Sequence, residues 1–245
     1  MSTVARIGII TAMPTEVWPL IRTWRVRRRG HGGRNFRFFE SEGAIALPGG
    51  IGHQAGLRAA SAMLELYQPE TLVAAGLAGG LTPHWTLGRT LLAAEVIDSA
   101  TGAHYRTAAG EGVVVSSRVI AGAAEKLRLH CEFPEADAVD MEGAAVAEIA
   151  NRSGVRFLAA KAISDNLEFD LPPLNGFVDA EGRFCSGRFV LSAFVHPRWW
   201  AKIVQLKRIS DVGAQHLTRL LNQVIKSEVP ALRDRISTGT PNTKS

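Results

Sequence analysis

Four carboxylates in this chain stand where they could act on a bond. Glu16 lies just past the apolar run RIGII, Asp140 and Glu142 flank Met141 at the head of the alanine-rich segment AVDMEGAAVAEIA, and Asp165 closes VRFLAAKAIS. Each has a purely structural explanation. An acid in the first turn of a helix is favoured by the helix dipole by roughly 0.3–1 kcal/mol, and an aspartate at an N-cap, as Asp140 would be, is worth about 1 kcal/mol. Taken together they say more. Glu16, Glu142 and Asp165 each follow an apolar run or open a helix, so an open α/β sheet would gather them beyond the carboxyl ends of its strands, where ligands bind. Carboxylates that share a pocket suit acid–base chemistry when their surroundings drive their proton affinities apart. Whether the acids of AVDMEGAAVAEIA start a helix or hold a substrate is left open by these residues alone.

Two glycine-rich stretches point to the same edge. PGGIGHQAG and AGLAGGL (Ala75 to Leu81) both follow apolar runs. They read as loops in which glycine lets the backbone approach a ligand and offer its N–H groups, or as tight turns that need positive φ. Neither carries the dinucleotide fingerprint G-x-G-x-x-G or the phosphate-binding P-loop pattern.

The elements that must position these residues follow from periodicity. RIGII reads as a buried strand and TEVWPLIRTW as a helix start, with Pro19 tolerable near its first turn. GAIALP reads as a strand ending at Gly49 to Gly52, and His53 to Tyr67 has the helical period. TLVAAGL and RTLLAAEVIDSA read as strands, and SSRVIAGAAEKLRL as a helix. The next helix opens in AVDMEGAAVAEIA with Asp140 as its cap and stops near Ser153, with Gly154 as the left-handed cap residue. Val155 to Ser164 is a strand running into Asp165 and Asn166. Leu167 to Gly187 is irregular and reads as a loop over one end of the sheet, and Trp199 to Lys226 as a C-terminal helix. The alternation predicts a three-layer α/β/α fold with a twisted, mixed central sheet, as one domain over 1–228 and a polar tail over 229–245.

Composition narrows the function classes. With 245 residues, 46% of them hydrophobic, the chain can bury a sizeable core. Its charge of +5 is concentrated in RTWRVRRRGHGGRNFRF, Arg22 to Phe38, which reads as a solvated charged hairpin or loop or as a phosphate contact. No helix-turn-helix, zinc-finger or RNA-binding signature accompanies it, so no nucleic-acid partner is expected. Cys131 and Cys185 make no disulfide framework, and without H-E-x-x-H or C-x-x-C no metal is expected. The apolar part of MSTVARIGIITAMP is short for a signal sequence. No run approaches the roughly 20 apolar residues of a membrane span. The expectation is a cytoplasmic protein without an integral membrane segment.

The stretches IGIITAMPTEV, GGIGHQAG, AGLAGGL, AVDMEGAAVAEIA and AISDN occur here in the order seen in the nucleoside phosphorylase superfamily, which this chain resembles from about Ala5 to Lys226. That family includes purine nucleoside phosphorylases and methylthioadenosine/S-adenosylhomocysteine nucleosidases, and VDMEGAA followed by AISD is specific as a pair. The resemblance implies the nucleoside-phosphorylase-like fold and an enzyme that cleaves the N-glycosidic bond of a purine nucleoside, with adenine as the base. It places Asp165 at the purine N7 as the acid that protonates the leaving base, and Glu142 with Met141 on the ribose hydroxyls. Glu16 matches the glutamate that activates water in the nucleosidases. Gly79 and Ala78 would line the site near the nucleophile, and Ser164, Ile51 and Gly52 complete the implied substrate-binding set. No cofactor is implied, and members are commonly homo-oligomers.

The chain also departs from the family pattern. Leu77 stands where many members have serine or threonine, Ala74 where hexameric phosphorylases have arginine, and SSRVIAG where nucleosidases carry an aromatic GDAF-like segment. Two usual phosphate ligands are therefore replaced, which favours water as nucleophile. Arg89 and the Arg27 to Arg29 run are the other cations that could serve inorganic phosphate as co-substrate. EKLRL, DLPP and DAEGR bring the chain nearest the hopanoid-associated phosphorylases, which implies a lipid-linked nucleoside, adenosylhopane. The irregular stretch and FVLSAFVHPRWW, Phe189 to Trp200, would line its apolar channel, unless Trp199 and Trp200 simply pack the last helix on the sheet. A non-catalytic nucleoside-binding protein of the same fold is the other alternative, against which three acids at one edge argue.

Overall fold

A computed structural model describes residues 7–167 and 200–237, with the side chains of the last helix placed over 208–227. Strand β1 (Ile7–Thr11) is buried along its whole length. It leads into a 3₁₀ turn (Pro14–Val17) and a single helical turn, α1 (Trp18–Ile21). TEVWPLIRTW is thus not one helix: Glu16 reaches back to the Met13 N–H and the Thr11 hydroxyl, and that capture tightens the turn. The basic stretch forms a hairpin of β2 (Arg25–His31) and β3 (Arg34–Glu40), followed by β4 (Ala44–Pro48). Helix α2 (His53–Tyr67) has the bounds its period predicts.

β5 (Thr71–Gly80) carries the first departure. AGLAGG continues the strand rather than forming a loop, and none of Gly76, Gly79 and Gly80 has a positive φ. RTLLAAEVIDSA is two strands, β6 (Thr90–Ala93) and β7 (Glu95–Asp98), because the chain changes partners at Ala94: β6 pairs with a late strand, and β7 with β8 (His104–Arg106) and β9 (Val113–Ser116). Only the second half of SSRVIAGAAEKLRL is helical, as α3 (Ala123–Glu132), since Ser116 ends β9 and the Ser117 N–H is taken by the Asp140 carbonyl. Ala138–Asp140 is a short strand, β10, and α4 (Gly143–Arg152) begins after it. Gly154 does take the left-handed conformation beyond α4, at φ 63°. β11 (Arg156–Asp165) and α5 (Trp200–Ser237) follow, and α5 runs on past Lys226.

Among the described residues the sheet has eleven strands, in the order β2-β3-β4-β1-β5-β10-β9-β7-β8, with β11 pairing β5 and β6. β4, β1, β5 and β11 are parallel, while β2, β3, β6, β8 and the β10–β5 pair supply antiparallel contacts. Side chains alternate faces along β5 and β11. Leu72, Ala74, Phe157, Ala159 and Ile163 pack with α2 and α4, whereas Val73, Ala75, Leu158, Ala160 and Ala162 pack with α1 and α5. Three layers result, α/β/α, around a mixed sheet. Among the described residues no helix is long and apolar enough to cross a membrane.

Candidate active site

β5 is the axis of the site because its glycines leave room for charged side chains from its neighbours. A Cβ on Gly76 would stand 3.3 Å from Glu16 Oε1, and one on Gly79 would stand 2.8 Å from Lys126 Cε and 3.3 Å from Asp165 Oδ2. Glu16 is 7% exposed and held by three donors. Its Oε2 accepts from the Thr11 hydroxyl (2.5 Å) and the Met13 N–H (2.8 Å), and its Oε1 accepts from the Leu77 N–H (3.2 Å). The residue that replaces the family's serine or threonine therefore serves through its backbone.

Glu142 approaches from the other side. It is the N-cap residue of α4 by position, but its side chain does not cap that helix. Its Oε1 instead accepts from the Gly52 N–H at 2.6 Å. Gly52 can present that N–H because it sits at φ 91°, a conformation glycine adopts without strain, and the Met141 Cε lies 3.7 Å from where a Cβ would be. Desolvation, with Asp140 and Glu16 nearby and Lys161 and the Gly52 N–H opposing, pushes the Glu142 carboxyl up to about 8. Asp140 is not the N-cap residue expected from the sequence. It ends β10, yet its Oδ2 accepts the Gly143 N–H at 2.8 Å and so caps α4 from the strand. It also accepts from the Ser116 hydroxyl and pairs with Lys161 Nζ, each at 2.5 Å. Burial alone would lower the Lys161 pKa; Asp140, Glu142 and Glu16 outweigh it and hold it raised.

The third carboxylate, Asp165, is 6% exposed at the end of β11, where the pairing with β5 shifts register after Ile163. Ser164 donates its hydroxyl to Asp165 Oδ1 and lies 3.2 Å from the Ala78 carbonyl. Lys126 of α3 is fully buried and places Nζ on Asp165 Oδ2 and, at 2.6 Å, on the Asn166 carbonyl.

The structure thus brings Glu16, Met141, Glu142, Gly52, Gly79, Ala78, Ser164 and Asp165 to the ends of β1, β5, β10 and β11, with Ile51 half-buried in the loop before α2. It does not bring in the cations suggested for phosphate. Arg29 stacks on Tyr67 at 4.5 Å and Arg27 faces Glu40. Tyr67 ends α2, about 22 Å along its 15 residues from Gly52. Arg89 is exposed, bound to His84 and stacked on Trp85. Lys126, Lys161, Thr11 and Ser116 were missed from sequence. Lys161 had a readable signal, since it falls in the apolar phase of Phe157, Ala159 and Ile163. The stretches DLPP and DAEGR, and the proposed lining from Phe189 to Trp199, lie outside the described residues, as does the side chain of Trp200.

Buried carboxylates in unlike surroundings, one held by backbone and hydroxyl donors, one desolvated and one paired with lysine, form a set able to take and give protons. Comparison with known proteins shows what the chain is similar to. A methylthioadenosine/S-adenosylhomocysteine nucleosidase from a Marinomonas species is 26% identical over 197 residues, 65% of this chain and 85% of the relative. The structure of such a nucleosidase from Neisseria meningitidis in complex with methylthio-immucillin-A superposes with a TM-score of 0.66 at 16% identity, covering 90% of this chain and 98% of the other. The futalosine hydrolase of Helicobacter pylori superposes with a TM-score of 0.63 at 19% identity, over 90% and 98%. The family model described as the phosphorylase superfamily matches residues 6–113 and 100–181, so with its fold and its motifs in register this chain belongs to the phosphorylase superfamily.

Proposed function

We propose that this chain is an enzyme that hydrolyses the N-glycosidic bond of a purine nucleoside, with adenine as base and a substituent at the 5′ position of the kind its nucleosidase relatives are named for. The observation that carries the reading is that Glu16 and Asp165 border β5 at Gly76 and Gly79, while Glu142 follows β10, which pairs with β5 at Gly79, and binds Gly52. Cleaving this bond builds positive charge on the sugar and negative charge on the base. Asp165 protonates the base as it leaves, and the Glu16 carboxylate offsets charge at the sugar, while Glu142, which burial keeps protonated up to about pH 8, binds there as a neutral acid. Glu142 with Met141 holds the ribose hydroxyls, while Ile51, Gly52, Ala78, Gly79 and Ser164 shape the surrounding wall. Glu16, held by Thr11, Met13 and Leu77, takes the proton of the attacking water.

Water is favoured over phosphate because a carboxylate, not a cation, stands at the nucleophile's position, and because both buried lysines at the site already face acids. No cofactor enters this reaction. The test is release of base from adenosine, methylthioadenosine, S-adenosylhomocysteine, futalosine and an adenosine bearing a long apolar 5′ chain, with and without phosphate. Free ribose derivatives formed at the same rate without phosphate are expected; a sugar 1-phosphate as the product would overturn hydrolysis. Preference for the long apolar chain would instead select the lipid-linked substrate that DLPP and DAEGR suggest. A cytoplasmic homo-oligomer accompanies the proposal, to be checked by sedimentation.

A further inference from the structure

Helix α3 is turned against its own hydrophobic pattern. Leu127 is 56% exposed while its neighbour Lys126 is fully buried. Burying an ammonium group is expensive, and a buried ion pair returns little net stability. The ammonium lies on Asp165 Oδ2 and on the Asn166 carbonyl, and its stem passes over Gly79, where a Cβ would stand 2.8 Å from Lys126 Cε. Of the other ionisable groups of α3, Glu125 and Arg128 pair with each other and Arg128 with Glu132, while His130, one turn on, keeps a buried Nδ1 without a hydrogen-bond partner. Gly79 and Val139, which lie beside the end of the Lys126 stem, carry no charge. Among the described residues the partners of Lys126 Nζ are Asp165 and the Asn166 carbonyl, and Lys126 is the cation paired with Asp165.

We propose that Lys126 is the positioning residue of Asp165, holding Oδ2 toward the base and replenishing the proton that Asp165 gives up. This rests on the reading of Asp165 as the acid for the leaving purine. In the step, the C1′–N9 bond breaks and its electron pair moves to the purine. Asp165 Oδ2 takes a proton from Lys126 Nζ and passes it to N7, leaving Lys126 neutral. Water adds to C1′ and gives a proton to Glu16. Once the base departs, Lys126 regains a proton from solvent and Glu16 releases one.

The test compares two leaving groups in the wild type, K126M, K126Q and D165N. One substrate is a purine nucleoside that the wild type cleaves; the other is p-nitrophenyl riboside, whose phenolate leaves without protonation. Both Lys126 variants are expected to lose about 10²-fold or more in kcat on the nucleoside while staying within about threefold of wild type on the nitrophenyl substrate. The alkaline limb of the remaining nucleoside activity should move, because the group that resupplies the proton has been removed. Equal losses on both substrates, or an unmoved alkaline limb, would overturn the proposal and leave Lys126 a structural residue. D165N separates the two failures: if it too spares the nucleoside, the assignment of Asp165 is wrong, whatever Lys126 does.

Discussion

Replacing Glu142 by glutamine is expected to flatten the dependence of stability on pH. Desolvation first, then Asp140 and Glu16, push this carboxyl from an ordinary value near 4.5 to about 8. Between those two values the folded chain keeps a proton that the unfolded chain has released. Stability from this group is therefore complete below about pH 4.5 and is lost as pH rises through about 8. Each pH unit in that window carries about 1.4 kcal/mol, giving a ceiling of about 5 kcal/mol. Lys161 is coupled to the same charge, so a loss of about half the ceiling is the working figure. In a chain of this length about 2.5 kcal/mol corresponds to about 5–10 °C in Tm. The glutamine variant carries no proton to lose, and its amide oxygen can still accept from Gly52. Thermal unfolding of both proteins from about pH 5 to about pH 9 isolates the group, because distant titrations cancel in the difference. Glu142→Gln should gain on the wild type by that amount across the window. Parallel curves with a constant offset would mean that the carboxyl is not desolvated and would refute the reasoning.

Glu16→Gln keeps the shape of the side chain but replaces one acceptor oxygen by an NH₂ group, so it cannot satisfy Thr11, Met13 and Leu77 together or take a proton from water. Its kcat for nucleoside hydrolysis should fall by about 10²–10⁴-fold, read from base release; unchanged turnover would mean that water is activated elsewhere. Lys161→Met strips the cation from buried Asp140 and should cost about 3–5 kcal/mol in urea unfolding, with part of it restored by adding Asp140→Asn. Gly79→Ala puts a methyl 2.8 Å from Lys126 Cε and 3.3 Å from Asp165 Oδ2, and should cost both stability, about 1–3 kcal/mol, and base release. Full activity in that variant would show that the Lys126–Asp165 pair tolerates displacement.

The parts of the fold legible in the sequence are those where one local signal dominates. Ile7–Thr11 and Arg156–Asp165 are apolar runs buried between layers, and His53–Tyr67 is an uninterrupted helical period. His104–Arg106 and Ala138–Asp140 are strands only because β7, β9 and β5 align them, and three residues carry no period of their own. AGLAGG misleads for a different reason. Glycine usually weakens a strand, but here Glu16, Lys126 and Asp165 occupy the space its side chains would need. The acids were legible because each ends or follows an apolar run. Their partners were not, since no spacing rule links Glu142 to Gly52, or Asp165 to a lysine on α3.

Two lysines in the interior bear directly on what the fold is built to do. Lys161 replaces an apolar residue in the face formed by Phe157, Ala159 and Ile163, and Lys126 is buried beside an exposed leucine. Hydrophobic residues at those positions would pack more cheaply if stability were all that mattered. Each ammonium instead meets an acid that borders the proposed substrate space: Lys161 meets Asp140, the support of the Glu142 turn, and Lys126 meets Asp165. Local rules of burial are broken twice, once in mid-β11 and once on α3, and each time the lysine meets a carboxylate that ends a strand, Asp140 of β10 or Asp165 of β11. That pattern is expected where a sequence gives up packing to hold reactive groups. It also orders the experiments. If the lysines serve the acids, removing Lys161 should be felt chiefly in stability and sugar binding, and removing Lys126 chiefly in departure of the base. A common loss from both would reduce the pair to ordinary core ion pairs.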